Sequence, residues 1–243
     1  MTIIGGASTL PNRSSILWVH QMNREASVDH VTQNMETYNR IAEHYYVTAT
    51  PELRAWKEES MRRFAAFLPG ADVVVPGCGD GRDSRFLASL ALQVTSFDLS
   101  DAMLRIAQEQ DPSGTYLKLD FRDMANLRGP FDGIWASGCL YHLTKAEFVQ
   151  CVTTCRSLLS KAGVLYVSMK EGQGERYEEM LGPRYPGGAE AKALLHGRRF
   201  YAYYERDELL KALAGFALLA EQRVQPAEGG FELWLRKTEE AAA

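Results

Sequence analysis

Asp72-Val73-Val74-Val75-Pro76-Gly77-Cys78-Gly79-Asp80-Gly81 is the stretch that decides the fold. Three β-branched residues in a row read as a short, fully buried strand. Three glycines at alternate positions follow, and they read as a turn whose backbone passes close to something. Asp83 to Leu90 then reads as a helix. A strand, a glycine turn and a helix N-terminus together hold a ligand against bare backbone.

A dinucleotide fits this turn poorly. Its third glycine would stand where Arg82 is. Asp80 and Asp83 lie in the turn and the first helical residues, and carboxylates there repel a pyrophosphate. They tolerate a ligand that carries positive charge, such as an α-ammonium or a sulfonium. That combination points to S-adenosylmethionine (SAM).

The chain downstream repeats the strand–helix rhythm. Val94-Thr95-Ser96-Phe97 is a second strand that ends at Asp98, and a carboxylate at that tip is placed to accept from both ribose hydroxyls. Ser100 caps the next helix. Thr115 to Leu119 is a third strand, followed by Asp120-Phe121, and Phe131 to Ala136 is a fourth. The loop Ser137-Gly138-Cys139-Leu140-Tyr141-His142-Leu143 then sits at the carboxyl end of a central strand, where open α/β sheets carry their chemistry. Thr144 and Glu147 form a capping box, and Val164 to Met169 is a fifth strand, followed by Lys170-Glu171. A helix over Arg206 to Leu213 feeds a terminal hairpin, Phe216 to Val224 and Phe231 to Arg236. The fold class is therefore α/β, doubly wound, with a mostly parallel sheet and helices on both faces.

The turn Gly77-Cys78-Gly79-Asp80-Gly81 resembles motif I of the class I SAM-dependent methyltransferases. Asp98-Leu99-Ser100-Asp101-Ala102-Met103-Leu104 and Phe131 to Leu143 are similar to that family at the right spacing and in the right order. Tyr38-Asn39-Arg40-Ile41-Ala42-Glu43-His44-Tyr45 resembles the N-terminal helix that closes over SAM in small-molecule members. The resemblance implies a seven-stranded sheet of order 3-2-1-4-5-7-6 with an antiparallel last strand. It also implies a helical cap over residues 34–70 and one methyltransferase domain over residues 34–237. The expected SAM contacts are Tyr38, Gly77, Cys78, Gly79, Gly81, Asp98, Leu99, Met103, Asp120, Phe121 and Ser137. In the family an acid at the place of Asp120 meets the adenine amino group, and the next residue lends its backbone amide. A turn residue or helix cap is the other reading of Asp120. One departure stands out: the family usually has an acid in the last turn of the first strand, where this chain has Val75 and Pro76.

The expected activity is transfer of the SAM methyl group to an oxygen or nitrogen of a small molecule, with S-adenosylhomocysteine as the second product. His142 reads as a general base or as a histidine held by backbone in its loop. Tyr45, Tyr141, His142, Lys170 and Tyr203 are the expected acceptor contacts, with Lys170 paired to Glu171 as the competing reading. A protein or RNA methyltransferase is a second reading, and a SAM-binding fold without catalysis is a third.

Composition sets the outer bounds. The 243 residues, 46% hydrophobic and 24% charged with a net charge of −4, are those of an ordinary globular domain and disfavour a nucleic-acid partner. No apolar run approaches a membrane span, and the N-terminus lacks a signal-peptide pattern. Cys78, Cys139, Cys151 and Cys155 read as free thiols rather than metal ligands, which makes a reducing, cytoplasmic compartment the default. No metal is expected, and the chain is expected to act as a monomer or homodimer. Residues 1–33 read as a flexible arm, residues 172–199 as a basic, glycine-rich, lid-like insertion, and residues 238–243 as a tail.

Overall fold

The computed structural model describes residues 29–45, 51–179, 197–224 and 229–239. Two helices lead, α1 (His30–Tyr45) and α2 (Pro51–Phe67). Then come β1 (Asp72–Pro76), α3 (Arg82–Ser89), β2 (Gln93–Asp98), α4 (Asp101–Gln110), β3 (Thr115–Lys118) and β4 (Phe131–Ala136). The rest is α5 (Lys145–Leu158), β5 (Leu159–Lys170), β6 (Glu175–Glu179), β7 (Arg198–Ala202), α6 (Arg206–Ala212), β8 (Phe216–Arg223) and β9 (Gly230–Lys237).

The main sheet has seven strands in the order β3-β2-β1-β4-β5-β9-β8. The first five are parallel, and β9 runs antiparallel between β5 and β8. This is the expected order, displaced in numbering by the small β6–β7 ribbon inserted before the last helix.

β1 shows why the sheet is buried on both sides. Val74 packs on one face with Phe97, Ile134 and Leu165, while Val73 and Val75 pack on the other with Phe64, Trp135, Tyr166 and Trp234. Alternate residues of a strand point to opposite faces, so a continuous apolar run is what a central parallel strand requires. The capping signals act as read. Thr144 and Glu147 form a reciprocal box at α5, and Ser100 Oγ accepts from Met103 N at 3.2 Å to start α4.

Two boundaries move. Helix α1 begins at His30, so residues 30–33 are helical rather than part of the arm, whose residues 1–28 lie outside the described residues. Distant partners hold the helix start: the His30 ring packs on Phe200 with centroids 4.7 Å apart, and its Nε2 lies 2.9 Å from Glu147. Asn34 exchanges bonds with both backbone groups of Phe200, at 2.7 and 3.3 Å, and the Thr37 hydroxyl donates to Arg198 O at 3.0 Å. The insertion at 172–199 is ordered at its ends, where Glu175–Glu179 and Arg198–Ala202 pair antiparallel. Residues 180–196 of the expected lid, 225–228 of the hairpin turn and 240–243 of the tail lie outside the described residues.

Candidate cofactor and acceptor site

A cavity of about 660 Å³ opens at the carboxyl ends of β1, β2, β4 and β5, beneath α1 and α2. Its floor is the glycine turn. Gly77 and Gly79 have φ of 60° and 54°, which suits glycine far better than a residue with a side chain. They serve different ends. A Cβ on Gly77 would lie 2.5 Å from Cys139 Cβ and 2.9 Å from the Phe121 ring, so that glycine is a packing requirement. A Cβ on Gly79 would meet nothing within 4 Å, so its bare backbone faces open space. Gly81 has another role: it is the left-handed N-cap of α3, packed against Ala107 and Tyr116, and it does not line the cavity.

Asp98 is pinned at the tip of β2. Its Oδ2 accepts from Gly79 N and its Oδ1 from Ser100 N, both at 2.9 Å. Burial pushes its pKa up, against the pull of these backbone amides. Each oxygen keeps a second lone pair, the acceptor set that two vicinal hydroxyls need. Leu99 and Met103 line the cavity beside it, with Met103 almost fully buried. Cys78 is held by its amide, which donates to Phe97 O at 3.0 Å, and burial drives its thiol pKa well up. Asp120 and Phe121 also line the cavity. Asp120 caps the 3₁₀ helix Phe121–Asn126 by accepting from Arg122 N at 2.9 Å, and it pairs with the Arg122 guanidinium at 2.6 Å. Asp120 is thus a helix cap that also lines the cavity.

The far side of the cavity is aromatic and basic. His142 Nδ1 lies 2.7 Å from Phe200 O, and its Nε2 lies 2.9 Å from the Tyr38 hydroxyl. A carbonyl only accepts, so Nδ1 carries the proton and Nε2 accepts from Tyr38. Burial lowers the His142 pKa to about 3, with further lowering from the nearby Arg199 and Lys170. Arg199 Nη1 donates to the same Tyr38 hydroxyl at 3.1 Å and covers the rings of Tyr38 and Tyr201. Tyr141 packs edge-on to His142, and the Lys170 ammonium lies over the rings of Tyr141 and Tyr201.

Some expected contacts fall elsewhere. Tyr203 is turned away from the cavity, donating to Glu178 at 2.5 Å beneath Arg176. Glu171 pairs with Arg223 rather than with Lys170. Tyr45 ends α1, and its side chain lies outside the described residues. All four cysteines are buried and free, and no group of three His, Cys, Asp or Glu among the described residues converges as a metal site.

One cluster escaped the sequence reading. Lys57 on α2 donates to Ser137 Oγ at 3.1 Å, Tyr166 Oη at 3.3 Å and Glu232 Oε1 at 3.1 Å. Ser60 and Tyr166 also donate to Glu232, whose side chain is fully buried on β9. Asn39 was missed too: its Oδ1 accepts from Ser100 Oγ at 2.7 Å and Ala102 N at 3.1 Å, tying α1 to the start of α4. Neither has a local signal, because the partners lie 61 to 175 residues away.

Comparison with known proteins joins the site to a family. Residues 73–163, from the first buried valine of β1 to the glycine inside β5, match a model described as a methyltransferase domain. Residues 73–163 carry a methyltransferase domain, set in a sheet with the class I, Rossmann-like order. Over 107 residues it is 32% identical to a ubiquinone biosynthesis O-methyltransferase of Xanthomonas campestris pv. campestris (strain B100), a match covering 42% of this chain and 44% of that one. A malonyl-[acyl-carrier protein] O-methyltransferase of Enterobacter lignolyticus (strain SCF1) is 27% identical over 162 residues, covering 65% and 57%. The chain thus spans about half the length of these curated relatives. Among solved structures, the CcbJ methyltransferase of Streptomyces caelestis superposes with a TM-score of 0.67 at 17% identity, over 87% of this chain and all of that one. At that identity the likeness is one of fold. The glycine turn and Asp98 stand at the carboxyl ends of β1 and β2, and the residues present fit an adenosyl cofactor. Gly79 offers open backbone and Asp98 offers free lone pairs.

Proposed function

We propose that this protein transfers a methyl group from SAM to an oxygen or nitrogen of a small molecule. One observation carries the reading: a single cavity joins the Asp98–Gly79 corner to the Tyr38–His142–Tyr141–Lys170 wall. Its volume, about 660 Å³, lies in the range of small-molecule sites. The expected contacts Tyr38, Gly77, Cys78, Gly79, Asp98, Leu99, Met103, Asp120, Phe121 and Ser137 all line it, as do Tyr141, His142 and Lys170.

SAM supplies an electrophilic methyl on a sulfonium, and the reaction is an in-line displacement. The work left to the protein is alignment and exclusion of water. Asp98 would hold the ribose hydroxyls, and Phe121 and Leu99 would lie beside the base. The tyrosine wall seats the acceptor. Lys170 favours an acceptor atom with negative charge, since its ammonium lies over the aromatic rings of that wall. His142 is a weak base at a pKa near 3, and its Nε2 is already taken by Tyr38. Its role in this reading is to hold Tyr38 in one orientation, with the Tyr38 hydroxyl facing the acceptor.

The test is a thermal melt with SAM, S-adenosylhomocysteine and NADH, followed by a methyl-release assay with a panel of small phenols, carboxylic acids and amines. Stabilisation by the two adenosyl ligands but not by NADH, with turnover on one panel member, is the expected result. Stabilisation by NADH alone would sink it.

A further inference from the structure

In the proposed cofactor, the α-ammonium of the methionine moiety needs an anion. β1 offers none, because it ends in Val75 and Pro76, both buried. Val75 lies in the apolar layer that also holds Trp135 and Tyr166. An acid that replaces the missing one must reach this end of the cavity from another element.

The acids that line the cavity can be taken in turn. Asp80 is almost fully buried and spent on Arg82, accepting from its backbone amide at 3.1 Å and from its guanidinium. Asp120 is spent on Arg122. Asp98 sits at the ribose corner with two backbone amides. Glu58 pairs with Arg62, one turn along α2, at 3.5 Å. Asp83 remains. Its Oδ2 accepts from Trp135 Nε1 at 2.8 Å, which anchors the carboxylate over β4, the strand beside β1. The neighbouring cation does not neutralise it: Lys57 directs its hydrogen bonds to Ser137, Tyr166 and Glu232.

We infer that Asp83, held in place by Trp135, binds the α-ammonium of the cofactor in the role that an acid at Val75 would otherwise fill. The inference rests on the SAM reading above. It makes α3, rather than β1, the source of the charge, and it gives the indole of Trp135 a positioning role. A side chain from the first turn of α3 projects back over the strand ends, so the exchange needs no change in the sheet.

The experiment is calorimetric titration of wild type, Asp83→Asn and Trp135→Phe with three ligands. These are S-adenosylhomocysteine, its analogue lacking the amino group, and 5′-methylthioadenosine, which lacks the amino-acid portion altogether. Asparagine keeps the acceptor oxygen for Trp135, and a melt of each variant checks that it is folded. In wild type, removing the amino group costs about 10- to 100-fold in affinity, the range of a charged hydrogen bond. Asp83→Asn weakens S-adenosylhomocysteine by a similar factor, leaves methylthioadenosine unchanged and no longer distinguishes the two longer ligands. Trp135→Phe shows a smaller loss of the same pattern. Unchanged S-adenosylhomocysteine binding in Asp83→Asn overturns the inference while leaving the cofactor reading intact. Equal loss of all three ligands also overturns it. Wild type that binds none of the three removes the cofactor reading, and this inference with it.

Discussion

The Tyr38 hydroxyl donates to His142 Nε2 over 2.9 Å, joining α1 to the loop after β4 across 104 residues. Phe200 O fixes the opposite face of the imidazole at 2.7 Å, and Arg199 donates into the same phenol oxygen. The direction of every bond in this chain follows from Phe200 O, which can only accept. α1, β7 and the post-β4 loop are thereby locked around a neutral histidine.

That neutrality makes stability depend on pH. The folded-state pKa of His142 is about 3, against an ordinary value near 6.5. Below about pH 6.5 the unfolded chain takes up a proton that the folded chain refuses. The contribution of His142 is thus complete at neutral pH and is lost as pH falls from about 6.5 toward 3. Between pH 7.5 and 5 the loss is about 2 kcal/mol. His142→Gln has no such titration, so the gap in urea midpoint between the two pH values shrinks in the variant. An equal gap would show that His142 does not titrate this way.

Lys57 and Glu232 set a second test. Lys57→Met leaves a buried carboxylate with only Ser60 and Tyr166 as donors. The expected cost is about 3 kcal/mol in denaturant unfolding. Adding Glu232→Gln recovers most of it, because the uncompensated charge is gone. Additive losses in the double-mutant cycle would mean that the pair is not coupled.

The two cavity-floor glycines separate packing from ligand access. Gly77→Ala drives a methyl into Cys139 and Phe121 at positive φ, and is expected to cost more than about 2 kcal/mol. Gly79→Ala carries only the backbone strain, about 1 kcal/mol, since nothing lies near its Cβ. Its larger effect is on affinity for S-adenosylhomocysteine, because the methyl enters the cavity. Thermal melts read the first difference and titration the second.

Asp98→Asn places an amide where Gly79 N and Ser100 N both need an acceptor. One of them must then face an NH₂ group, and one ribose acceptor is lost. Affinity for S-adenosylhomocysteine is expected to fall about 10- to 100-fold. An unchanged dissociation constant would remove Asp98 from the ribose corner.

Much of this was written locally. The valine run of β1, the glycine turn, the Ser100 cap and the Thr144–Glu147 box each depend on residues a few positions apart, so spacing and residue type reveal them. The mostly parallel α/β class follows from the same alternation, because βα units admit few topologies, while the strand order is what the family resemblance implies. The start of α1 was not legible, since His30 meets its partners Glu147 and Phe200 only across the fold. Tyr203, expected as an acceptor contact, is instead drawn away from the cavity by Glu178 and Arg176.

By itself, then, the sequence determined the sheet, the turn and the residues at the strand ends, because those follow from short-range sterics and from the two-residue period of a strand. Tertiary structure alone decided how charge is distributed around them. Asp83 is held by Trp135, His142 is kept neutral by burial, and Lys57 is turned onto Glu232. Burial and partner geometry set these states, and both depend on residues brought together only when the sheet closes over β1.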